Sequence, residues 1–486
     1  MKSRILGVAA LAPLVLAACG TPPRKPDLTL PAAYQAPAAP APADAIALDQ
    51  WWTAFGDPEL TVLIQTALDR SPDARSAAAR LEEARATRRG TLWDVYLPDG
   101  ALDGSARRTE TKLIDGTQLE IPGFANSGVS KSYGLNFDVS YELDFFGARR
   151  AARQVADADY AAARFNYEVT RASLAANVAQ SYFEARGLAI QLEDARQTAR
   201  LQNDLYQVAS KRAAAGLAPS SEADQSAASL AQSNAQAANL EAELQAAKRT
   251  LLILAGRGID PVESLPAPAA VPVAPPVPTS VPGELLERRP EIREAEARLR
   301  AAAGTLRGSE VALFPRFTLT PGIGLTRNEQ PGFSSTTRAW YLGGTLMQPI
   351  LDIPQLLAQE KATRARAEQA VVAYEKAVQD AYGEAENTLV RLAADHRRVD
   401  LLTAGEARAR KAYDAARKRY DMGFDDLTAA VTAETNWRAA RTALTGAQVQ
   451  SLTRTVQAYK ALGGGWTPLD QKAASAAKTP VKEPQA

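Results

Sequence analysis

Chemistry has few places to reside in this chain. Its 486 residues contain one His and one Cys, too few for a metal cage, a histidine-dependent triad or a disulfide. Asp and Glu recur along the helical segments, but no pair stands in an apolar setting that would tune a carboxyl for acid–base work. There is no G-x-x-x-x-G-K-[ST] run, so no nucleotide-driven engine is expected. His396 reads as solvated, and Arg149, Arg150, Arg153 and Arg408, Arg410, Lys411 read as solvated helix faces rather than binding patches. The side chain placed for a reaction is Cys19. It closes Leu16-Ala17-Ala18-Cys19-Gly20, after a basic start (Lys2, Arg4) and an apolar run from Ile5 to Leu16. That run is too short to span a bilayer, so residues 1–18 read as a signal peptide. Its end resembles a bacterial lipobox, in which small residues fit the signal peptidase and the cysteine thiol takes up a diacylglyceryl group. Glycine after the cysteine, in place of aspartate, suggests sorting to the outer membrane. No catalytic, cofactor-binding or metal-binding residue is expected, and the chain does not read as an enzyme.

Composition narrows the elements that could carry the rest. The formal net charge is +1, which gives no electrostatic case for a nucleic-acid partner. Hydrophobic residues make up 46% but aromatics only 6%. Alanine fills the gap, favouring long helices with small side chains over a bulky globular core.

The chain divides into two similar halves. Residues 19–48, rich in Pro and Ala, form an extended lipidated arm, and 261–282 form a Pro-rich linker. The first half spans 49–260 and the second 283–466. Residues 467–486 read as a disordered tail, and Gly463-Gly464-Gly465-Trp466 as a flexible exit. Leu68-Asp69-Arg70-Ser71-Pro72-Asp73 resembles Leu286-Glu287-Arg288-Arg289-Pro290-Glu291, and Ala77, Ala79, Arg80, Leu81 and Ala84 meet Ala295, Ala297, Arg298, Leu299 and Ala302 at the same offset. Such self-similarity reads as an internal two-fold repeat. Each copy runs short helix, helix, a Leu-Pro or Phe-Pro break, strand hairpin (about 99–144; about 315–351), very long helix (148–214; 355–422), tip, and returning helix (220–255; 426–462). Proline is absent from 148–214, a stretch of about 67 residues or roughly 100 Å of helix. Apolar and small residues recur at threes and fours, as a coiled coil requires. Both long helices end at a glycine, Gly216 and Gly423, suited to a left-handed C-cap. Ser220/Ser221 and Asp425/Asp426 then offer N-caps for the next helix.

Residues 135–144 alternate strictly. Leu135, Phe137, Val139, Tyr141 and Leu143 interleave with Asn136, Asp138, Ser140, Glu142 and Asp144. A half-buried soluble strand could read this way, and so could a membrane-barrel strand with an apolar outer face and a wet inner one. Its counterpart in the second half is about Trp340 to Leu351, with partners near 101–113 and 316–326. Four strands cannot close a barrel, and open edges are forbidden in lipid, so a membrane location would require oligomerisation.

At this point the chain resembles the TolC/OprM family of outer-membrane efflux proteins, in particular its lipoprotein branch. The resemblance rests on the lipobox ending at Cys19, Trp51-Trp52-x-x-Phe55-x-Asp57-Pro58-x-Leu60, Leu286-x-x-Arg289-Pro290-x-Ile292-Arg293-x-Ala295-Glu296, Tyr141-Glu142-Leu143-Asp144-Phe145-Phe146-Gly147, Gln348-Pro349-Ile350-Leu351-Asp352 and the two tips. It covers about Leu48 to Trp466. It implies an α+β membrane protein: a homotrimer with a 12-stranded β-barrel, four strands per chain, continuous with a long periplasmic α-helical coiled-coil barrel. It further implies a passive duct anchored to outer-membrane lipid. A proton-driven inner-membrane pump would feed the duct through a periplasmic adaptor (membrane fusion) protein. Tip residues Arg212, Gly216, Leu217, Arg419, Gly423 and Phe424 would dock the adaptor. Related channels carry an aspartate ring at their closed end; here the corresponding position holds Thr432. Asp425 and Asp426 are then either an acidic collar at a periplasmic gate or simple helix caps. Two other functions fit the pattern: a type I secretion duct for proteins, and a non-conducting structural lipoprotein spanning the periplasm.

Overall fold

The computed structural model describes residues 26–36, 48–112, 114, 128–278, 282–330, 332–422, 424–425 and 427–467. Proline and short polar side chains punctuate the helices. After a 3-10 turn over Leu48–Phe55, helix α1 (Pro58–Arg70) starts under Asp57, whose Oδ1 accepts the amides of Glu59 and Leu60 at 3.0 and 3.2 Å. Pro58 fits the first helical turn, where an amide would be unpaired anyway. Pro72 forces Ser71 out of helical geometry, so α1 ends there and α2 (Pro72–Tyr96) begins. Pro290 acts likewise: α5 (Leu285–Arg288) stops at an extended Arg289 and α6 (Pro290–Val311) follows.

Strands β1 (Asp99–Thr111) and β2 (Gly128–Leu143) lead into the long helix α3 (Ala148–Ala214) and its return α4 (Ser220–Leu254). In the second half β3 (Arg316–Gln330), β4 (Phe333–Met347), α7 (Ile353–Asp421) and α8 (Leu427–Ala461) follow in the same order. The β2–α3 junction is fixed by Asp144, whose carboxylate accepts the amides of Gly147, Ala148 and Arg149 at 2.7, 2.7 and 3.1 Å. Strand β4 (Phe333–Met347) begins and ends earlier than the expected run from about Trp340 to Leu351. Its first residues, Ser334 to Thr337, are polar yet pair fully with β3 from Gln330 inward, and the strand ends at Met347, ahead of Pro349.

The chain separates into two compact units. One comprises 83–162 and 295–374, and it holds the sheet. The other comprises 27–82, 163–294 and 375–486. The second unit has an aromatic core: Trp51 stacks on Tyr459 at 5.8 Å, and Phe55 packs on Phe183 at 5.0 Å. Small residues permit close helix approach there. A Cβ on Gly187 would lie 2.5 Å from Val449 Cγ2, which ties α3 to α8.

Three expectations are corrected here. The Gly463–Trp466 run is no flexible exit. Gly465 N donates to Leu48 O at 2.8 Å, Trp466 Nε1 donates to Arg288 O at 2.8 Å, and the Trp466 ring is buried. The glycines are there because the backbone turns through positive φ against neighbouring backbone. The Pro-rich stretch after 261 is not a loose linker in its described part. Leu265 and Val277 are buried, and carbonyls of Ala270 and Pro276 accept from Arg186 Nε and from Tyr459 Oη. Burial pushes the Tyr459 hydroxyl up to about 12, so it remains a donor. Ser220 and Ser221 do not cap α4. The N-cap position is Pro219, whose fixed φ of −63° sets the helix entry without a side-chain bond.

Candidate functional site: the sheet faces and the helical tips

All four strands pair antiparallel in the order β1-β2-β3-β4. Register decides what each face presents, because cross-strand partners share a side. One row runs Leu102–Phe137–Ile323–Trp340, and the neighbouring row places Leu135 beside Leu325. These apolar side chains are exposed within the protomer; Trp340 is 82% accessible. The opposite face carries Asp103–Asn136–Gly324 and Ala101–Asp138–Gly322–Tyr341, with Thr318, Thr320, Thr326, Asn328 and Thr345 in further rows. Its glycines are spatial requirements. Tyr341 Oη reaches across Gly322 to donate to Asp138 Oδ1, and a Cβ at 322 would collide with that ring. A sheet with an exposed apolar face, a polar opposite face and two unpaired edges, β1 and β4, is one wall of a membrane barrel. Among the described residues no helix is long and apolar enough to cross a membrane.

In the other unit each long helix reverses at a tip. At the first, Leu217 N donates to Arg212 O at 2.9 Å and Gly216 N to Ala213 O at 3.0 Å, with Gly216 at φ +70°. These are the two bonds of a Schellman stop. At the second, Phe424 N donates to Arg419 O at 2.9 Å, the counterpart of the Leu217 bond. Leu217 and Phe424 project into solvent. Asp425 does not stand free. Arg419 grips it with Nε at 2.8 Å and Nη2 at 2.9 Å, and these hydrogen bonds hold the Asp425 carboxyl below the usual carboxylate range. Thr432 is exposed, with its hydroxyl donated to Thr428 O at 2.8 Å. Cys19, Gly423 and Asp426 lie outside the described residues. Among those described, no cluster of three His, Cys, Asp or Glu side chains could hold a metal ion.

The model of the outer membrane efflux protein family matches residues 63–257 and 281–464. The chain belongs to that family. Among its relatives, the pyoverdine export outer membrane protein OpmQ of Pseudomonas aeruginosa is 30% identical over 458 residues, covering 93% of this chain and 95% of OpmQ. The solved outer-membrane channel OprN superimposes with a TM-score of 0.77 at 29% identity, over 92% of this chain and 100% of that one. The open-state MtrE outer membrane channel of Neisseria gonorrhoeae gives 0.78 at 26%, over 92% and 99%. The α+β outer-membrane channel fold expected from the sequence is therefore the observed one. The chain is an efflux protein of the outer membrane.

Sequence reasoning missed the buried charges of this efflux protein. On α3, Asp194 is almost wholly enclosed. Burial raises its carboxyl, and Arg441 and Arg438 on α8 oppose that rise; Arg441 Nε donates to Asp194 Oδ2 at 2.8 Å. Arg438 also holds Glu434 at 2.9 Å. Arg186 on α3 bonds Asp57, the α1 cap, and Arg289 holds Glu384 at 2.6 Å. Glu434 and Arg438 stand four residues apart, a spacing that suits an ion pair on one helix face. That they are interior follows only from packing.

Proposed function

We propose that three copies of this chain close a 12-stranded barrel, β4 of one against β1 of the next. The polar faces would then enclose a passive exit duct for small molecules. The supporting observation is the pairing of an exposed apolar face with a polar, glycine-relieved face on a sheet whose edges are unpartnered within the chain. The helical hairpins carry the duct toward a periplasmic adaptor, which docks on the exposed apolar tips around Leu217 and Phe424, and an inner-membrane pump supplies the energy. Cys19 carries the lipid anchor. The protein conducts passively and is not a catalyst.

Planar-bilayer recording of the purified protein tests this. Discrete, long-lived conductance steps are expected, larger in a variant whose tip is opened. A tip-opened variant that passes no current would reject the duct and leave a structural strut. Replacing Gly216 and Leu217 should abolish adaptor-dependent resistance at unchanged trimer level; intact resistance would reject docking at this tip.

A further inference from the structure

Charge on the apolar face is confined to the half of the sheet away from the helices. The strand ends at Asp99, Leu143, Arg316 and Met347 connect to the helices, and with those helices in the periplasm, as proposed above, the opposite ends face the cell exterior. On the face that carries Leu135, Phe137, Ile323 and Trp340, register places Arg108, Glu110, Lys131, Arg327 and Glu329 near that end, and Arg338 further in, level with Leu135 and Leu325. Arg108 is the direct cross-strand partner of Lys131. Like charges set opposite each other repel, which an anion seated between them would relieve. Glu329, opposite Lys131, is already gripped by Arg327 at 2.9 Å. Among the described residues, Arg108, Lys131 and Arg338 have no ion-pair partner, and all three are exposed. Cations deep on a lipid face are costly, whereas at the interface they cost little and attract anionic headgroups.

We propose that Arg108 and Lys131, with Arg338 further in on β4, form a binding surface for the phosphorylated headgroup of an outer-leaflet lipid. The phosphate seats between Arg108 and Lys131 and relieves their repulsion. The bound lipid's acyl chains lie along the Phe137–Ile323–Trp340 row. This rests on the apolar face pointing outward, which a separate arm of the test reads.

The test uses the full-length protein in phosphatidylcholine nanodiscs containing either diphosphoryl lipid A or its dephosphorylated form, with retained lipid counted by native mass spectrometry. The wild type should retain the diphosphoryl form at least about tenfold better, and the Arg108→Gln/Lys131→Gln/Arg338→Gln variant should lose that preference while keeping its channel conductance. Equal retention of both lipids by the wild type overturns the proposal. So does a preference that persists in the variant, or displacement by millimolar inorganic phosphate as complete from the variant as from the wild type. Trimers that fall apart in the variant, with no lipid preference in the wild type, would instead assign these cations to a neighbouring protomer's carboxylates. A nitroxide at Ile323→Cys should be reached by oxygen and not by a water-soluble nickel chelate; the reverse would reject the outward face itself.

Discussion

Asp425 sits between two helices at a turn that exposes nearly everything, yet its carboxylate is held by both Arg419 donors. The clasp spans the second tip and leaves the first, closed by Gly216 alone, without a counterpart among the described residues. Because the folded carboxyl titrates below its ordinary value, the clasp is present above the usual aspartate range and lost as pH falls through the lowered value. Asp425→Asn should therefore speed hydrogen exchange at the Phe424 amide at neutral pH and raise single-channel conductance. An unchanged amide would assign the tip's order to the backbone bond to Arg419. High salt should weaken the clasp as well, since both groups face water. The Asp194 cluster is different in kind. It is enclosed, and removing one partner would leave a buried charge uncompensated.

At the level of elements, two helix ends use glycine for different reasons. Gly216 needs only its positive φ, since a Cβ there would meet nothing within 4 Å. Gly256, after α4, needs positive φ and also lies against the end of α1, where a Cβ would sit 2.6 Å from Arg70 O. Gly463, after α8, stands in the same relation to Arg288 O, at 2.7 Å. Gly216→Ala should cost about 1–2 kcal/mol for the left-handed backbone, and Gly256→Ala should cost more, because the α1 carbonyl cannot yield. Thermal melts followed by helical circular dichroism would rank the two; equal midpoints would mean that the α1–α4 contact is soft. The matching geometry at Gly256 and Gly463 gives the two halves the same joint, in keeping with the similar segments around Pro72 and Pro290.

For the whole molecule, a polar sheet face that lines the proposed duct would set its ion preference. Register gives it Asp99, Asp103, Asp138 and Glu142 against Arg107 and Arg316, an acidic surplus repeated by each copy around a lumen. A focused negative potential concentrates cations. The reversal potential across a potassium chloride gradient should accordingly show cation preference, reduced by Asp103→Asn with Glu142→Gln. Anion preference in the wild type would mean that these side chains do not line the path.

Local signals settled much of this protein. Pro72 and Pro290 break helices because the residue before a proline is excluded from helical geometry. The uninterrupted stretch from Ala148 to Ala214 becomes one helix because nothing in it stops the hydrogen-bond ladder. The alternation at 135–144 becomes a two-faced strand because side chains alternate with period two. Distant partners decided the rest. Only the register could show that Arg108 meets Lys131, or that Gly322 clears a way for Tyr341 to reach Asp138. Only packing could bury Asp194 among arginines more than two hundred positions away, or turn the Gly463–Trp466 run from an apparent loose end into a buried seam against Leu48 and Arg288. In each case the residue types were visible in the chain. Their roles depended on which groups, remote in sequence, were brought close enough to exclude water.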